Sequence, residues 1–449
     1  MKLKLISNLQ LLAISVFLST LMLSISGCKP REVDITDYSA EVASSWNEIV
    51  MNMAIEEDGL LTLKGVRTEA MIFIAMHDAL NAISPQYSDF LHKDHVPSAH
   101  PVAAASQAAY DVAINQFPDR QDILKKELVK WLEGIPDSPS KENALKLGKT
   151  SAKKIIELRE GDQYNGEADY VWHPMAPGVY AEFNEHSGTP EGFIFGAGWA
   201  AAQPFMIPEQ GYFRSPPPPD ISSEDYTKAF HEVKEVGRSE SELRTEDQAH
   251  LAMWWKDFVE NSHNRLARQL IIKENLNLWE SARVFALLNM AIYDGYISVF
   301  DNKFHYNHWR PYTAIRWASN DGNPGTEPDP DWNNLHKHTY AFPSYPSAHG
   351  TASTAAMTVL AGTLGKGDAY HFIMTTEEVD KAGPFSGKIR MNPSTREFNS
   401  FSQAGMEASM SRVYLGIHFR YDSEEGFNLG KKIGTYALQN FLTPVNSQH

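Results

Sequence analysis

Residues 342–364 read FPSYPSAHGTASTAAMTVLAGTL. Pro346 and Ser347 are residue types that commonly begin helices, and small and apolar residues recur behind them at helical spacing. The stretch therefore predicts a helix over 348–364 that begins directly after Ser347. The free backbone N–H groups and the dipole at such a helix start favour an anion. His349 lies within the first turn, close enough to act on that anion as an acid or a base.

Helical periodicity extends over most of the chain, and no run of residues alternates as a half-buried strand would. The predicted helices cover residues 41–57, 64–84, 102–117, 120–133, 141–160, 224–236, 245–259, 277–300, 348–364, 398–414 and 424–441. This pattern predicts an all-α fold of helical bundles joined by long irregular loops.

Two of the predicted helices resemble each other. Arg67, Ala70 and Asp78 recur with the same internal spacing as Arg283, Ala286 and Asp294. Two explanations stay open, because Ala-rich amphipathic helices often look alike. The alternative is a pair of related four-helix bundles, one before residue 160 and one after residue 222.

The chain divides into a targeting segment and one large domain. Residues 1–28 are predicted to be a lipoprotein signal peptide, and residues 29–449 a single all-α domain. Within that domain, 29–160 form the N-terminal helices and 223–449 the C-terminal bundle with the active site. The intervening segment 161–222 is rich in aromatic residues and proline, which favours a cap over a site or an interface rather than a free linker.

Charge and cysteine usage limit the partners and the compartment. A formal net charge of −16 argues against nucleic acid as a partner. The single cysteine, Cys28, ends the sequence Ile25-Ser26-Gly27-Cys28 after a basic start and an apolar run, as in a bacterial lipobox. We therefore expect a lipid anchor as the only membrane contact and an extracytoplasmic lipoprotein, at the outer membrane or cell surface of a bacterium. An ordinary signal peptide or an apolar anchor helix is the alternative.

Three short blocks in the last third of the chain together describe a pocket for a tetrahedral oxyanion. They are Lys303 with Arg310-Pro311, then Pro346-Ser347-Ala348-His349-Gly350, then Ser411-Arg412 followed by His418 and Asp422. Arginine forks match pairs of oxygens on such an anion, and lysine supplies a point charge. The anion that would bind there is phosphate or vanadate, which has the same tetrahedral shape.

Each block alone also has an ordinary structural explanation. Ser347 can be a capping residue beside an incidental histidine, and isolated arginines usually lie in solvent or in ion pairs. If the last block is helical, Asp422 can reach the distal ring nitrogen of His418 and fix its tautomer. Only the combination of the three blocks favours an oxyanion site over these alternatives.

The spacing of the blocks resembles the motif of the type 2 phosphatidic acid phosphatase superfamily, which joins acid and lipid phosphatases to vanadium-dependent haloperoxidases. The flanking sequence is similar to the haloperoxidase branch over residues 308–316, 342–347 and 417–422. Residues 46–47 and 75–79 also resemble secreted bacterial haloperoxidase-like proteins. The resemblance spans most of the chain after residue 28, and it implies the helical haloperoxidase fold.

The resemblance also implies a role for each motif residue. His418 would ligate vanadium, with Asp422 behind it. Vanadate oxygens would be bound by Lys303, Arg310, Ser347, His349, Arg412 and the backbone N–H of Ala348. His349, Lys303 and His418 would be catalytic, since His349 would assist proton transfer from peroxide and Lys303 would polarise it. The partners would be hydrogen peroxide, a halide and a small organic acceptor, and an oligomer remains open.

Two further positions bear on the pocket. Ala348 stands where haloperoxidases usually have glycine, so a methyl group is expected to tighten the pocket or shift the anion. Phe342 matches a position that is phenylalanine in chloroperoxidases and histidine in algal bromoperoxidases. Phe342 is therefore a candidate for a halide pocket, with core packing as the alternative, and Trp309 is a second candidate for that pocket.

Three functions follow from this pocket. The first is a haloperoxidase that oxidises iodide or bromide, with chloride as a further candidate, to hypohalous acid with hydrogen peroxide and with vanadate as cofactor. The second is an acid or lipid phosphatase without a cofactor, in which His418 is the nucleophile and His349 the general acid. The third is a non-catalytic lipoprotein that binds oxyanions, which would not require both histidines.

Overall fold

The computed structural model describes residues 33–58, 62–91, 93–181, 184–383 and 386–445. Residues Ile35–His449 form one compact unit. The predicted signal peptide over 1–28 and the lipidation site Cys28 lie outside the described residues, so the lipid anchor and its location stay predictions.

The described residues are mostly helical, which confirms the all-α prediction. The helices are α1 (Glu41–Asp58), α2 (Leu63–Ile83), α3 (Pro101–Gln116), α4 (Gln121–Leu132), α5 (Pro139–Leu158), α6 (Asn184–Ser187), α7 (Glu224–Val236), α8 (Glu246–Trp254), α9 (Val259–Lys273), α10 (Leu278–Tyr306), α11 (Pro311–Trp317), α12 (Ala348–Thr363), α13 (Phe401–Tyr414) and α14 (Arg420–Asn440). Four short strands are β1 (Phe372–Thr375), β2 (Glu378–Asp380), β3 (Lys388–Arg390) and β4 (Thr395–Phe398).

The strands form two small antiparallel pairs that the helical periodicity did not predict. In β1 and β4, Phe372 faces Phe398, and in β2 and β3, Val379 faces Ile389. Strands of three or four residues are too short for a periodic signal to separate them from loop. The predicted helix start at residue 398 is wrong, because Phe398 ends β4 and α13 begins at Phe401.

The helical periodicity of the sequence also did not predict helices α9 and α11. Phe258 precedes α9 and Arg310 precedes α11, and neither offers a side-chain cap to the helix behind it. Without a serine, threonine, aspartate or asparagine at the start, the usual sequence signal for a helix boundary is missing.

Two helical bundles meet along their first helices. Helices α2 to α5 pack on one another in the N-terminal half, α10 and α12 to α14 pack in the C-terminal half, and α2 lies against α10. The repeated arginines make matching contacts. Arg67 of α2 donates to the Asp162 carboxylate at 2.7 Å, just beyond the end of α5, and Arg283 of α10 donates to the Leu442 carbonyl at 2.7 Å, just beyond the end of α14.

The repeated aspartates are equivalent in the same way. Each carboxylate is buried and accepts backbone N–H groups from an irregular segment. Asp78 accepts from Phe90 and Leu91 at 2.8 and 2.7 Å, and Asp294 accepts from Phe205, Met206 and Ile207 at 2.7, 2.7 and 3.0 Å. These shared anchors favour a pair of related bundles over a chance likeness of two Ala-rich helices.

Helix α10 is the centre of the fold. Among the described residues it alone is long and apolar enough to cross a membrane by length and composition, yet 94% of its apolar window is buried inside the protein. Its apolar character is therefore that of a core helix.

The aromatic segment 161–222 lies against α10 and the loop before α12. The backbone N–H of Phe195 donates to the Ala341 carbonyl at 2.8 Å. The Phe195 ring lies 5.8 Å from Phe342, and the Trp199 ring lies 5.1 Å from Phe300, centroid to centroid. The segment thus supports the residues on which the functional site is built.

Candidate oxyanion site

The three sequence blocks meet around one cavity inside the C-terminal bundle. Its lining consists of Lys256, Phe258, Tyr296, Phe300, Tyr340, Phe342, Ala348, His349, Arg412, Ile417 and His418. The space open to the centres of water-sized molecules is about 60 Å³, whereas one water needs roughly 10–15 Å³. The cavity therefore has room for a small tetrahedral anion and a few further small molecules.

Lys303 reaches this region from the last turn of α10. Its ammonium is fully buried and donates to the carbonyls of Pro343 and Ser344 at 3.0 and 2.6 Å. An ammonium has three N–H donors. Two of them hold the loop before α12, whose residue Phe342 lines the cavity.

The two arginines are held by backbone carbonyls, so their guanidinium groups are fixed in place. Arg310 donates through Nε to Phe342 and through Nη1 to Ile417, both at 2.9 Å. Its Nη2 is buried and has no partner among the described residues. Arg412 donates to the Trp255 carbonyl and to the Ser411 hydroxyl. Burial lowers the pKa of both arginines to about 10, so both remain cationic at neutral pH.

Ser347 is the N-cap of α12, as the sequence predicts. Its hydroxyl accepts the backbone N–H of Gly350 at 3.2 Å, which leaves the hydroxyl hydrogen free to donate. Ala348 is the first helical residue, whose N–H has no acceptor inside the helix. Ala348 lies in ordinary helical backbone, so the position does not require glycine, and its methyl group lines the cavity.

Close packing of α14 against α12 brings the third block to the cavity. A Cβ atom at Gly426 would lie 2.6 Å from the Ser347 carbonyl oxygen, so a larger residue would push the helices apart. The Ser347 N–H donates to the Asp422 carbonyl at 2.9 Å. This contact joins the first turn of α14 directly to the start of α12 at the cavity.

The predicted contact between His418 and Asp422 is present, but its geometry differs from the helical pair that the sequence suggested. His418 precedes α14, and Asp422 lies in the first turn of that helix. The Asp422 carboxylate accepts the backbone N–H of Phe419 at 3.0 Å and lies 3.0 Å from Nδ1 of His418. Ser344 also donates to this carboxylate. Asp422 therefore closes the helix start and orients the histidine at the same time.

Orientation by Asp422 leaves Nε2 of His418 at the cavity, 3.1 Å from Nη1 of Arg310. Burial lowers the pKa of His418 well below its usual range, and the charges of Arg310 and Lys303 lower it further. Burial raises the pKa of Asp422 to about 6, although the Ser344 hydrogen bond acts in the opposite direction. The histidine is thus neutral, with a lone pair available to an electrophile.

His349 faces the same cavity from the first turn of α12. Its Nε2 is buried and has no hydrogen-bond partner in the part of the chain that the structure describes. Burial, with smaller contributions from Arg412 and His263, lowers its pKa well below the usual range. His349 is therefore a neutral group that can accept a proton from a guest.

The two candidates for the halide pocket separate in the structure. Phe342 lines the cavity, and its ring lies 4.7 Å from the Arg310 guanidinium carbon and 5.2 Å from Nζ of Lys303. Trp309 does not line the cavity. Its fully buried ring belongs to a separate apolar cluster with Tyr226 and Phe419, so the structure places Trp309 in the core and not with Phe342 at the cavity.

Sequence reasoning missed one half of the cavity wall. Tyr296 and Phe300 come from the middle of α10, Tyr340 from the loop before α12, and Lys256 and Phe258 from the link between α8 and α9. Tyr340 could have been found, because it lies two residues before the motif residue Phe342. The other four carry no spacing or motif that distinguishes them from core residues.

A buried carboxyl group supports this aromatic wall. Glu260 accepts the Tyr296 hydroxyl at 2.8 Å and the backbone N–H of Thr62 at 2.9 Å. Burial raises the pKa of Glu260 to about 7. The ionised form is therefore disfavoured in the folded protein compared with the unfolded chain.

We expect Glu260→Gln to change how stability depends on pH. A raised folded-state pKa gives stability that is present at pH values below the unfolded-state pKa and is lost as pH rises through the folded-state pKa. Between about pH 4.5 and 7 the wild type should lose about 3 kcal/mol through this group. Denaturant unfolding at pH 5 and pH 8 should show the variant gaining stability relative to wild type at the higher pH. If the free energies of unfolding of variant and wild type differed by the same amount at both pH values, the assignment would be contradicted.

Comparison with known proteins gives a match to the bundle that contains this site. Residues 283–447 match the family model described as the VCPO second helical-bundle domain. The vanadium chloroperoxidase of Curvularia inaequalis is 27% identical over 202 residues, which cover 36% of this chain. The match spans about a third of that relative's length, namely 32%.

Solved structures show the same fold. A bacterial vanadium-dependent iodoperoxidase superposes with a TM-score of 0.71 at 22% identity, covering 94% of this chain and all of that one. A bacterial vanadium-dependent chloroperoxidase in its apo form gives a TM-score of 0.62 at 15% identity, covering 83% of this chain and 92% of that one.

Fold and site together define a helical-bundle protein with a buried, cationic cavity. The bundle that carries the cavity matches the VCPO second helical-bundle family model over residues 283–447, and the fold is that of the solved bacterial vanadium-dependent haloperoxidases.

Proposed function

We propose that this protein is a vanadate-dependent haloperoxidase that oxidises iodide or bromide with hydrogen peroxide to hypohalous acid, with chloride as a further candidate. One observation carries the proposal. Arg310 Nη2 and His349 Nε2 are buried polar atoms without partners among the described residues. His349 lines the cavity together with Ala348, whose N–H has no acceptor inside the helix, and Arg310 lies 3.1 Å from the lining residue His418. Buried polar atoms normally have hydrogen-bond partners, so a guest rich in oxygen atoms fits this set.

The donor set also fits the charge of vanadate. Lys303, Arg310 and Arg412 would neutralise its oxygens, and the Ser347 hydroxyl and the Ala348 N–H would donate to them. Nε2 of His418 would ligate the vanadium, because Asp422 holds the proton on the opposite nitrogen at Nδ1. Vanadate bound there supplies a Lewis acid that activates hydrogen peroxide toward attack by a halide.

The protein's own residues supply orientation and proton transfer. Neutral His349 would accept a proton from the incoming hydrogen peroxide. It would then return a proton to the oxygen atom that leaves the site. The arginines cannot rotate away, since backbone carbonyls of Phe342, Ile417 and Trp255 fix them. Donors that are held in place before the reaction stabilise developing negative charge without reorganising.

A phosphatase could use the same residues, with His418 as the nucleophile, so the test has to separate the two reactions. The full-length chain is incubated with and without vanadate, and oxidation of iodide and of bromide by hydrogen peroxide is measured. Hydrolysis of a phosphate monoester is measured in parallel without vanadate. We expect halide oxidation that requires vanadate. Phosphate ester turnover without any vanadate-dependent halide oxidation would identify a phosphatase instead.

A further inference from the structure

The residues that line the cavity fall into two chemically different sets, a polar half and an aromatic half. The polar half consists of His349, Arg412 and His418. The aromatic half has rings from Phe258, Tyr296, Phe300, Tyr340 and Phe342, and a single lysine, Lys256, lines the cavity with them. Lys256 belongs to none of the three sequence blocks, so the motif does not explain a cation among these aromatic residues.

Lys256 is fixed by the strand β2 and the turn behind it. The side chain is buried, and its Nζ donates to the carbonyls of Asp380 and Ala382, the latter at 2.7 Å. An ammonium has three donors, and the described residues provide no third acceptor. Since Lys256 lines the cavity, the remaining N–H is available to a guest there.

The charges around Lys256 leave an excess of positive charge. The carboxylate of Asp380 acts on Lys256 but is already paired with Lys388 at 2.7 Å. Arg412 adds a second cation on the cavity side, and Lys388 a third behind the hairpin. The neighbouring His336 is buried with both ring nitrogens unpartnered in the described structure. A small anion would relieve this imbalance.

We propose that Lys256 binds the halide substrate in the aromatic half of the cavity and thereby sets the affinity for it. The inference rests on the proposed function, because only a haloperoxidase has a halide as substrate. A monoatomic anion needs few donors, whereas a tetrahedral oxyanion needs many, so the two guests are assigned to different halves. Large, weakly hydrated halides also lose the least hydration free energy when they enter an aromatic surrounding.

Ionisation of Lys256 supports this assignment. Burial lowers the pKa of Lys256 to about 7, and the charges of Arg412 and Lys388 act in the same direction, whereas Asp380 opposes them. An anion at Nζ would favour the charged form and return the pKa toward its usual range. Halide binding is therefore expected to weaken as pH rises above neutrality.

Bromide soaks give a readout that does not depend on turnover. Crystals of the full-length chain soaked in bromide should show an anomalous peak within about 4 Å of Lys256 Nζ, the range of an ion pair. Lys256→Met should lose that peak. Lys388→Met is the matched control, because it removes a cation from the same hairpin but outside the cavity lining, and it should keep the peak.

Kinetics with vanadate provide the second readout. Lys256→Met should raise KM for iodide about tenfold, as expected for loss of a hydrogen bond to a charged group, with kcat nearly unchanged. Vanadate affinity, measured by calorimetry, should stay within about threefold, because the oxyanion donors remain. Lys256→Arg keeps the charge and should retain the bromide peak, which guards against a folding defect in the methionine variant.

The two hypotheses fail in different ways. A wild-type enzyme that oxidises iodide but shows no bromide at Lys256, or a Lys256→Met variant that keeps the peak, would overturn the role of Lys256 alone. A bromide peak at Lys256 in a protein that oxidises no halide would uphold the anion site and refute the haloperoxidase proposal.

Discussion

Replacement of His418 by alanine is expected to reduce both vanadate affinity and halide oxidation by more than about 100-fold, beyond the loss typical for a residue that only orients a ligand. The Nε2 atom of His418 lies at the cavity beside Arg310, and Asp422 orients the ring through Nδ1. Without it, the remaining donors can still attract an oxyanion but cannot ligate vanadium. Calorimetric titration of the full-length chain with vanadate, followed by the iodide assay, measures both effects.

His77→Ala is the matched control for this experiment. His77 is another buried histidine whose pKa burial lowers to about 4, but it lies in α2 and contacts the Ser88 carbonyl at 3.2 Å, away from the cavity. The His77→Ala variant should lose thermal stability and keep its vanadate affinity. If His418→Ala bound vanadate as tightly as wild type, the assignment of the ligand would be wrong.

Asp422→Asn is expected to lower vanadate affinity and activity about 10- to 100-fold. The carboxylate accepts from Nδ1 of His418 and from the Phe419 N–H, both at 3.0 Å. An amide can turn its NH₂ group toward Nδ1 and so favour the tautomer with the proton on Nε2, where it blocks ligation. Vanadate titration and steady-state iodide oxidation should therefore fall together.

Asp294→Asn serves as the comparison for Asp422→Asn. Asp294 is equally buried, accepts three backbone N–H groups, and has a pKa that burial raises to about 6, yet it lies outside the cavity lining. The Asp294→Asn substitution should destabilise the fold without changing the vanadate affinity of the molecules that remain folded. Equal losses of affinity in the two variants would show that Asp422 acts only through stability.

Much of the oxyanion half of the site could be predicted because its signals are local. Ser347 caps a helix through an atom three residues away, and His418 meets Asp422 across one turn. Short-range contacts of this kind follow from residue type and spacing alone. The helix itself begins at Arg420, two residues after His418, so the two residues meet across a helix start.

Trp309 shows the limit of such reasoning. It is adjacent to Arg310 in the chain, yet Arg310 faces the cavity region and Trp309 points into the cluster with Tyr226. Neighbouring residues at a helix start point in different directions, and the sequence does not say which direction meets the site. The same limit applies to Lys256, whose place at the cavity depends on a hairpin over 378–390 that gave no periodic signal.

By itself, the sequence determined an all-α chain, the helix start at Ser347 and the cationic residues of an oxyanion site, because caps, helical period and motif spacing act over a few residues. Only the tertiary structure decided that these residues share a cavity with an aromatic wall and Lys256. Packing of α10, α12 and α14 and of the link between α8 and α9 joins residues that are far apart in the chain. Such contacts depend on how whole helices bury one another, which no local pattern specifies.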